Sequence, residues 1–363
     1  MHIKLFIPGP VEVYPGVLNA MATPMIGHRT KDYTDLHGAV KSKLQQLLYT
    51  KNKIFLSTSS GTGLMEACTR NCISKRAAHF VCGEFGERWY GISIANGKEA
   101  DKFEVPLGQS IKPAMVDKEL ATGKYDTVFV THNETSVGVM NPLKEIADVV
   151  KKYPGVLFMV DAVSSMAGAK IEVDAWGIDV CLASTQKGFA LPPGFAICSV
   201  SARALERAKT VKNRGYYFDF IEFDAFDAKN QTPTTPSVSH IFALYYQLDQ
   251  MLKEGLDNRF NRLKELAKMC RKWVTDNGFK LFTEPGYESI TMTTADNTRK
   301  IDIKKLNEEL GKVGYMISAG YGKLKDSTFR IAHMGDCNAE ELKGLLDAMD
   351  KIMKTMEMAP TAS

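Results

Sequence analysis

Two residues of opposite charge end two apolar runs. Val156-Leu-Phe-Met-Val-Asp161 closes on an aspartate, and Asp179-Val-Cys-Leu-Ala-Ser-Thr-Gln-Lys187 closes on a lysine 26 residues later. A lysine amine can condense with a carbonyl to a Schiff base, and a carboxylate can keep a pyridinium nitrogen protonated. A third segment, Ser59-Ser-Gly-Thr-Gly63, lies between an apolar run and a helical one. Small residues there let backbone N–H groups approach a phosphate, hydroxyls add donors, and a helix N-terminus adds positive potential. It is not a Walker loop, because no Gly-Lys-Ser/Thr follows, and it is a poor dinucleotide fingerprint, because Glu66 stands where the third glycine belongs.

Taken singly, each feature has an ordinary structural explanation. A strand-end aspartate caps helices, a strand-end lysine is solvated, and a Gly/Ser loop is a tight turn. Together they describe one assembly: the loop for a cofactor phosphate, Asp161 for the ring nitrogen, and Lys187 for the aldimine. That assembly is what pyridoxal 5'-phosphate requires.

The elements that must position these residues follow from periodicity. Short apolar runs begin at Ile54, His79, Tyr125, Val156 and Asp179 and alternate with helical stretches. One such stretch carries Leu143, Ile146, Ala147 and Val150 at i, i+3, i+4, i+7 and stops at Pro154-Gly155. Strands alternating with helices predict a mainly parallel sheet, with ligands at the carboxyl ends of the strands. From about residue 240 the pattern changes to long helices. Ile241, Leu244, Leu248, Met251 and Leu252 form one stripe; after Gly255, Leu256, Phe260, Leu263, Ala267, Cys270 and Val274 form another. Asn338-Ala-Glu-Glu341 reads as a capping box opening a final helix, beyond which the last residues are expected to fray. We place an N-terminal arm at 1–16, a large domain at 17–252 and a small one at 253–363; the length of 363 residues suits two domains.

Composition sets the outer bounds. With 46 basic and 42 acidic residues the net charge is +4, without a basic cluster, so neither nucleic acid nor membrane is expected as a partner. No apolar run reaches the roughly 18 residues that span a bilayer, and the N-terminus reads as too short and polar for a signal peptide. Seven scattered cysteines read as reduced, mostly buried thiols of a cytoplasmic protein, and Cys68 and Cys72 as helix core rather than metal ligands; no metal is expected.

An ordered set of motifs then carries a resemblance: Pro8-Gly-Pro10, Gly27-His-Arg-Thr30, Ser59-Ser-Gly-Thr-Gly63, Gly83-Glu-Phe-Gly-Glu-Arg88, Thr131-His-Asn-Glu-Thr-Ser-Val-Gly138, Val160-Asp-Ala-Val-Ser-Ser165, Ser184-Thr-Gln-Lys187, Pro192-Pro-Gly194, Gln231-Thr-Pro-Thr-Thr-Pro236 and Phe329-Arg-Ile-Ala-His-Met-Gly335. The whole chain resembles the class V, fold type I aminotransferases, in the alanine–glyoxylate / serine–pyruvate branch. The resemblance implies an α/β fold: a large domain with a mainly parallel seven-stranded sheet plus a smaller C-terminal α+β domain. It also implies a homodimer with a shared active site.

Carried over residue by residue, it makes Lys187 the Schiff-base lysine and proton shuttle, Asp161 the ring-nitrogen partner and Thr135 the hydroxyl near the phenolic oxygen. Ser60, Gly61, Thr62 and Gln186 match phosphate-side contacts, and Thr234 a residue reaching the phosphate of the neighbouring subunit. Arg330 matches the α-carboxylate fork, a task suited to planar guanidinium. Arg29 is placed on the substrate side, with a structural ion pair as the alternative. Phe85 falls where the branch frequently has a ring-stacking tryptophan, and Gln231 where some relatives carry a tyrosine. His132 and His333 read as packing residues, and Trp89 and Tyr90 as core.

Because Arg330 is the one arginine assigned to a carboxylate, the expected substrates are a small amino donor, alanine or serine, and glyoxylate or pyruvate as the 2-oxo acid. Aspartate or a phosphonate amine is the alternative within the fold. A cysteine desulfurase fits less well: that activity favours a histidine before the lysine and a mobile loop cysteine. Here Gln186 precedes Lys187, and Cys337 stands in a helix-capping turn.

Overall fold

The structure is a computed structural model and describes residues 2–358; the final residues, expected to fray, lie outside the described part. Seven strands build the larger sheet in the order Lys53–Ser57, Ala196–Val200, Val180–Ser184, Leu157–Asp161, Thr127–Thr131, Ala77–Val81 and Ala100–Glu104. Only Ala196–Val200 runs antiparallel to its neighbours. Five central strands are buried at every position, which is why they read as continuous apolar runs rather than alternating ones. Helices cover both faces, and the two large apolar clusters lie on either side of the sheet.

The second sheet has the order Lys4–Phe6, Tyr315–Ala319, Thr328–Ala332, Met292–Asp296 and Lys280–Leu281. It packs with the helices Leu256–Asp276, Ile303–Lys312 and Ala339–Met358 around a separate core. The N-terminal residues placed in an arm therefore take part in this smaller unit. Lys4, Leu5 and Phe6 pair in parallel with Tyr315, Met316 and Ile317, and Phe6 is buried. The pairing gives partners to main-chain groups that an edge strand would otherwise expose.

The long helices meet at Gly255, whose φ of +83° lets the chain turn between Val238–Glu254 and Leu256–Asp276. The predicted capping box is present: Asn338 Oδ1 accepts from the Glu341 amide at 2.9 Å, and Glu341 Oε2 accepts from the Asn338 amide at 3.2 Å. All seven cysteines are free and buried. Among the described residues, no helix is long and apolar enough to cross a membrane.

Candidate active site

The strands Lys53–Ser57, Ala77–Val81, Thr127–Thr131, Leu157–Asp161 and Val180–Ser184 deliver their carboxyl ends to one pocket, the expected ligand position of an open parallel sheet. About 460 Å³ of empty space is lined there by Ser60, Gly61, Thr62, Phe85, Thr135, Asp161, Gln186 and Lys187, all singled out in the sequence. Met65, Arg88, Asn133, Val163, Ser164 and Ser184 complete the wall.

The phosphate-side cradle is a helix start. Ser60 caps Gly61–Cys72 and its Oγ accepts from the Gly63 amide at 3.3 Å. The first-turn amides of a helix have no partner within it and face an incoming anion. A Cβ on Gly61 would lie 2.7 Å from Val163 Cγ2, so the backbone approaches the opposite wall as closely as it does only because residue 61 lacks a side chain.

Asp161 is 3% exposed. Its Oδ1 accepts from the Val163 amide at 2.8 Å, while Oδ2 has only Thr131 Oγ1 at 3.5 Å. Burial pushes this carboxyl up to about 7, against the pull of that amide, and the buried Glu134 pushes the same way. A cationic N–H donor is what such a group lacks. Ser184 Oγ, also in the wall, is buried without a hydrogen-bond partner. A pyridinium nitrogen and a phosphate would satisfy these groups, so the residues present fit pyridoxal phosphate.

Lys187 is 8% exposed and donates to the Pro8 carbonyl. Burial first, then the positive charge of Arg330, lowers its ammonium to about 8. Its stem lies against Gly9, whose φ is +103° and where a Cβ would sit 2.7 Å from Lys187 Cδ. The Phe85 ring centroid lies 5.7 Å from Nζ. Phe85 opens the helix Glu84–Ala95, held by buried Glu134: Oε2 accepts from the Phe85 and Gly86 amides at 3.0 and 3.1 Å, and Oε1 from the Ser136 amide at 3.1 Å and hydroxyl at 2.6 Å. Burial nonetheless raises the Glu134 carboxyl above its ordinary value.

Arg330, in register opposite Ser318 and Thr294, sends Nε to the Ala319 carbonyl at 3.1 Å and Nη1 to the Thr135 carbonyl at 3.0 Å. Those bonds aim the guanidinium, and its cation lies 5.4 Å from the Tyr321 ring centroid.

Arg29 does not line this pocket within its own chain. Its guanidinium donates to Gln231 Oε1, the Thr232 carbonyl and the Pro233 carbonyl, and lies 5.0 Å from the Phe226 ring centroid, so it clamps the 231–233 loop. Nη1 and one N–H of Nη2 serve these three acceptors, which leaves Nε and the second N–H of Nη2 as a fork they do not use. Thr234 is also away from Lys187, in a cleft with Thr58, Tyr217 and Pro236. Arg88, an arginine given no carboxylate in the sequence reading, lines the pocket one helical turn after Phe85. That i, i+3 spacing from Phe85 was a signal in the sequence, and Glu134 stands inside the motif Thr131–Gly138; Tyr321 had none. His132 and His333 are buried, as are Cys68, Cys72 and Trp89, whose Nε1 donates to the Met65 carbonyl at 3.0 Å.

The class-V aminotransferase family model matches residues 12–329. The chain belongs to the class-V aminotransferases. It is 40% identical over 360 residues to an uncharacterized aminotransferase of Methanocaldococcus jannaschii, covering 97% of this chain and 93% of the relative. It is 30% identical to the L-aspartate–glyoxylate aminotransferase of Paracoccus denitrificans, over 95% of this chain and 89% of that one. The crystal structure of an alanine–glyoxylate aminotransferase from Nostoc sp. superposes with a TM-score of 0.91 at 26% identity, covering 97% of this chain and 96% of that one. The fold is that of the fold type I transferases, and class-V aminotransferases use pyridoxal 5'-phosphate.

Proposed function

We propose that this class-V aminotransferase moves an amino group from a short 2-amino acid to glyoxylate or pyruvate, in a homodimer. The observation that carries the proposal is the meeting of Lys187 and Asp161 in one strand-end pocket, with Arg330 bonded behind it to the carbonyl of the lining residue Thr135. When bound, pyridoxal phosphate supplies a carbonyl for the amine and an electron-withdrawing ring. Asp161 would hold the ring nitrogen protonated, and Thr135 would offer its hydroxyl to the phenolic oxygen. Ser60, Gly61, Thr62 and Gln186 hold the phosphate, with Thr234 completing that site in the second copy of the chain. Phe85 would stack on the ring face. Arg330 fixes the substrate α-carboxylate, which turns the Cα proton toward Lys187. With its ammonium lowered to about 8, Lys187 gives up a proton far more readily than an ordinary lysine, and its amine would be the base that accepts the substrate Cα proton.

The expectation of alanine or serine as donor rests on Arg330 being the only arginine assigned. Arg88 in the wall removes that ground and supports a second reading, an acidic donor such as aspartate. A stoichiometric screen tests the function: each amino acid is added to holoenzyme and the cofactor spectrum is followed. Loss of the bound-cofactor band and of turnover in Lys187→Ala is the expected result; full activity in that variant sinks the proposal.

A further inference from the structure

Arg88 is an exposed guanidinium in the pocket wall, and among the described residues no acidic side chain lies within ion-pair distance of it. Two contacts fix where it points. Its cation lies 4.8 Å from the Phe85 ring centroid, and Nη2 donates to the Tyr321 hydroxyl at 3.3 Å. Tyr321 stands between Phe85 and Arg330. Its ring centroid is 5.7 Å from that of Phe85 and 5.4 Å from the Arg330 cation.

The loop that presents Tyr321 is closed against backbone at Gly320 and turned by the left-handed Gly322. A Cβ on Gly320 would lie 1.9 Å from the Leu324 carbonyl oxygen. One on Gly322, where φ is +54°, would lie 2.6 Å from Glu84 Oε1. Tyr321 therefore stands on a turn whose backbone is shaped to place it there.

We propose that Arg88 and Tyr321 form a second anion-recognising corner, which takes the side-chain carboxylate of a short dicarboxylic donor while Arg330 takes the α-carboxylate. The chemistry is complementary. The Tyr321 oxygen accepts from Arg88 and keeps its own proton to donate, while Arg88 retains further N–H donors for a carboxylate. Both guanidiniums contact one phenol, so the two anion positions are separated by roughly the reach of that one side chain, which suits a four-carbon diacid. An alanine donor would leave Arg88 without an anion. The assignment rests on the aminotransferase reading above and names the substrate class of that same pocket.

The test uses holoenzyme and compares aspartate with alanine in the single-turnover conversion of the cofactor band. Wild type is expected to favour aspartate. Arg88→Gln should lower the aspartate-to-alanine ratio of second-order rate constants by roughly 10- to 100-fold, the scale of a charge-assisted hydrogen bond. Tyr321→Phe, which removes one oxygen and keeps the ring, should move the ratio the same way by less. Succinate, an unreactive four-carbon diacid, should raise the melting temperature of wild type more than that of Arg88→Gln. A preference of wild type for alanine, or an equal fall for both donors in the two variants, overturns this proposal alone. Conversion by no amino acid at all overturns the aminotransferase reading, and this proposal with it.

Discussion

Exchanging Glu134 for glutamine asks whether one buried carboxylate joins two walls of the pocket. Each of its oxygens accepts two hydrogen bonds, Oε2 from the start of the helix carrying Phe85 and Oε1 from Ser136. Glutamine can offer its carbonyl to one pair only, and its NH₂ group then confronts the donors of the other. Two hydrogen bonds to a charged acceptor are lost, about 1.5–3 kcal/mol each. Against this, the variant no longer buries a charge whose carboxyl burial has already raised. The net expectation is a loss of about 2–4 kcal/mol, larger in Glu134→Ala, where all four donors lose their acceptor. There is no slack for the side chain to shift, since a Cβ on Gly83 would lie 2.6 Å from Glu134 Cγ. The assay is denaturant unfolding of holoenzyme alongside cofactor titration of the apoprotein. Weaker cofactor binding should accompany the stability loss, because the Phe85 amide is among the released donors. A glutamine variant within about 0.5 kcal/mol of wild type, with unaltered cofactor affinity, would refute the reasoning.

Three further outcomes follow from the same structure. In apoprotein, reductive labelling of Lys187 should rise with a midpoint near pH 8, and Arg330→Gln should move that midpoint upward, because the Arg330 charge helps to lower it; an unmoved midpoint contradicts the electrostatic account. His79 and His333 are lowered by burial to about 3, and His37 and His132 to about 4, so all four are neutral in the folded protein. Unfolded histidine binds its proton near 6.5, so their contribution is complete above that pH and is lost as pH falls toward the folded values. Each tenfold weakening of proton binding is worth about 1.4 kcal/mol, so the melting temperature should drop steeply between pH 6.5 and 4.5; a flat profile refutes this. Gly9→Ala should displace the Lys187 stem, and the bound-cofactor absorbance should fall while far-UV circular dichroism persists; undiminished occupancy would show that the close approach is not needed.

The large sheet was legible because its central strands are buried on both faces, leaving unbroken apolar runs such as Leu157–Asp161. The residues at the ends of those runs were legible for the same reason: once a strand is located, its last residue points to the ligand side. The short strand Lys4–Phe6 was not, since three residues carry almost no periodicity and their partner, Tyr315–Ala319, is near the other end of the chain. Arg29 stayed open between two roles in the sequence, because a guanidinium suits a carboxylate and a row of loop carbonyls equally well.

By itself, then, the order of residues determined the strand ends, the helix-start cradle and the lysine–aspartate pair, all of which depend on local pattern plus one parallel sheet. Tertiary structure decided what those groups feel. Burial and the Arg330 charge set the Lys187 amine near 8, Glu134 ties Phe85 to Ser136, and a glycine-flanked turn of the smaller sheet brings Tyr321 between Arg88 and Arg330. Each of these joins segments distant along the chain, and pairwise distance and desolvation exist only once the chain has closed on itself.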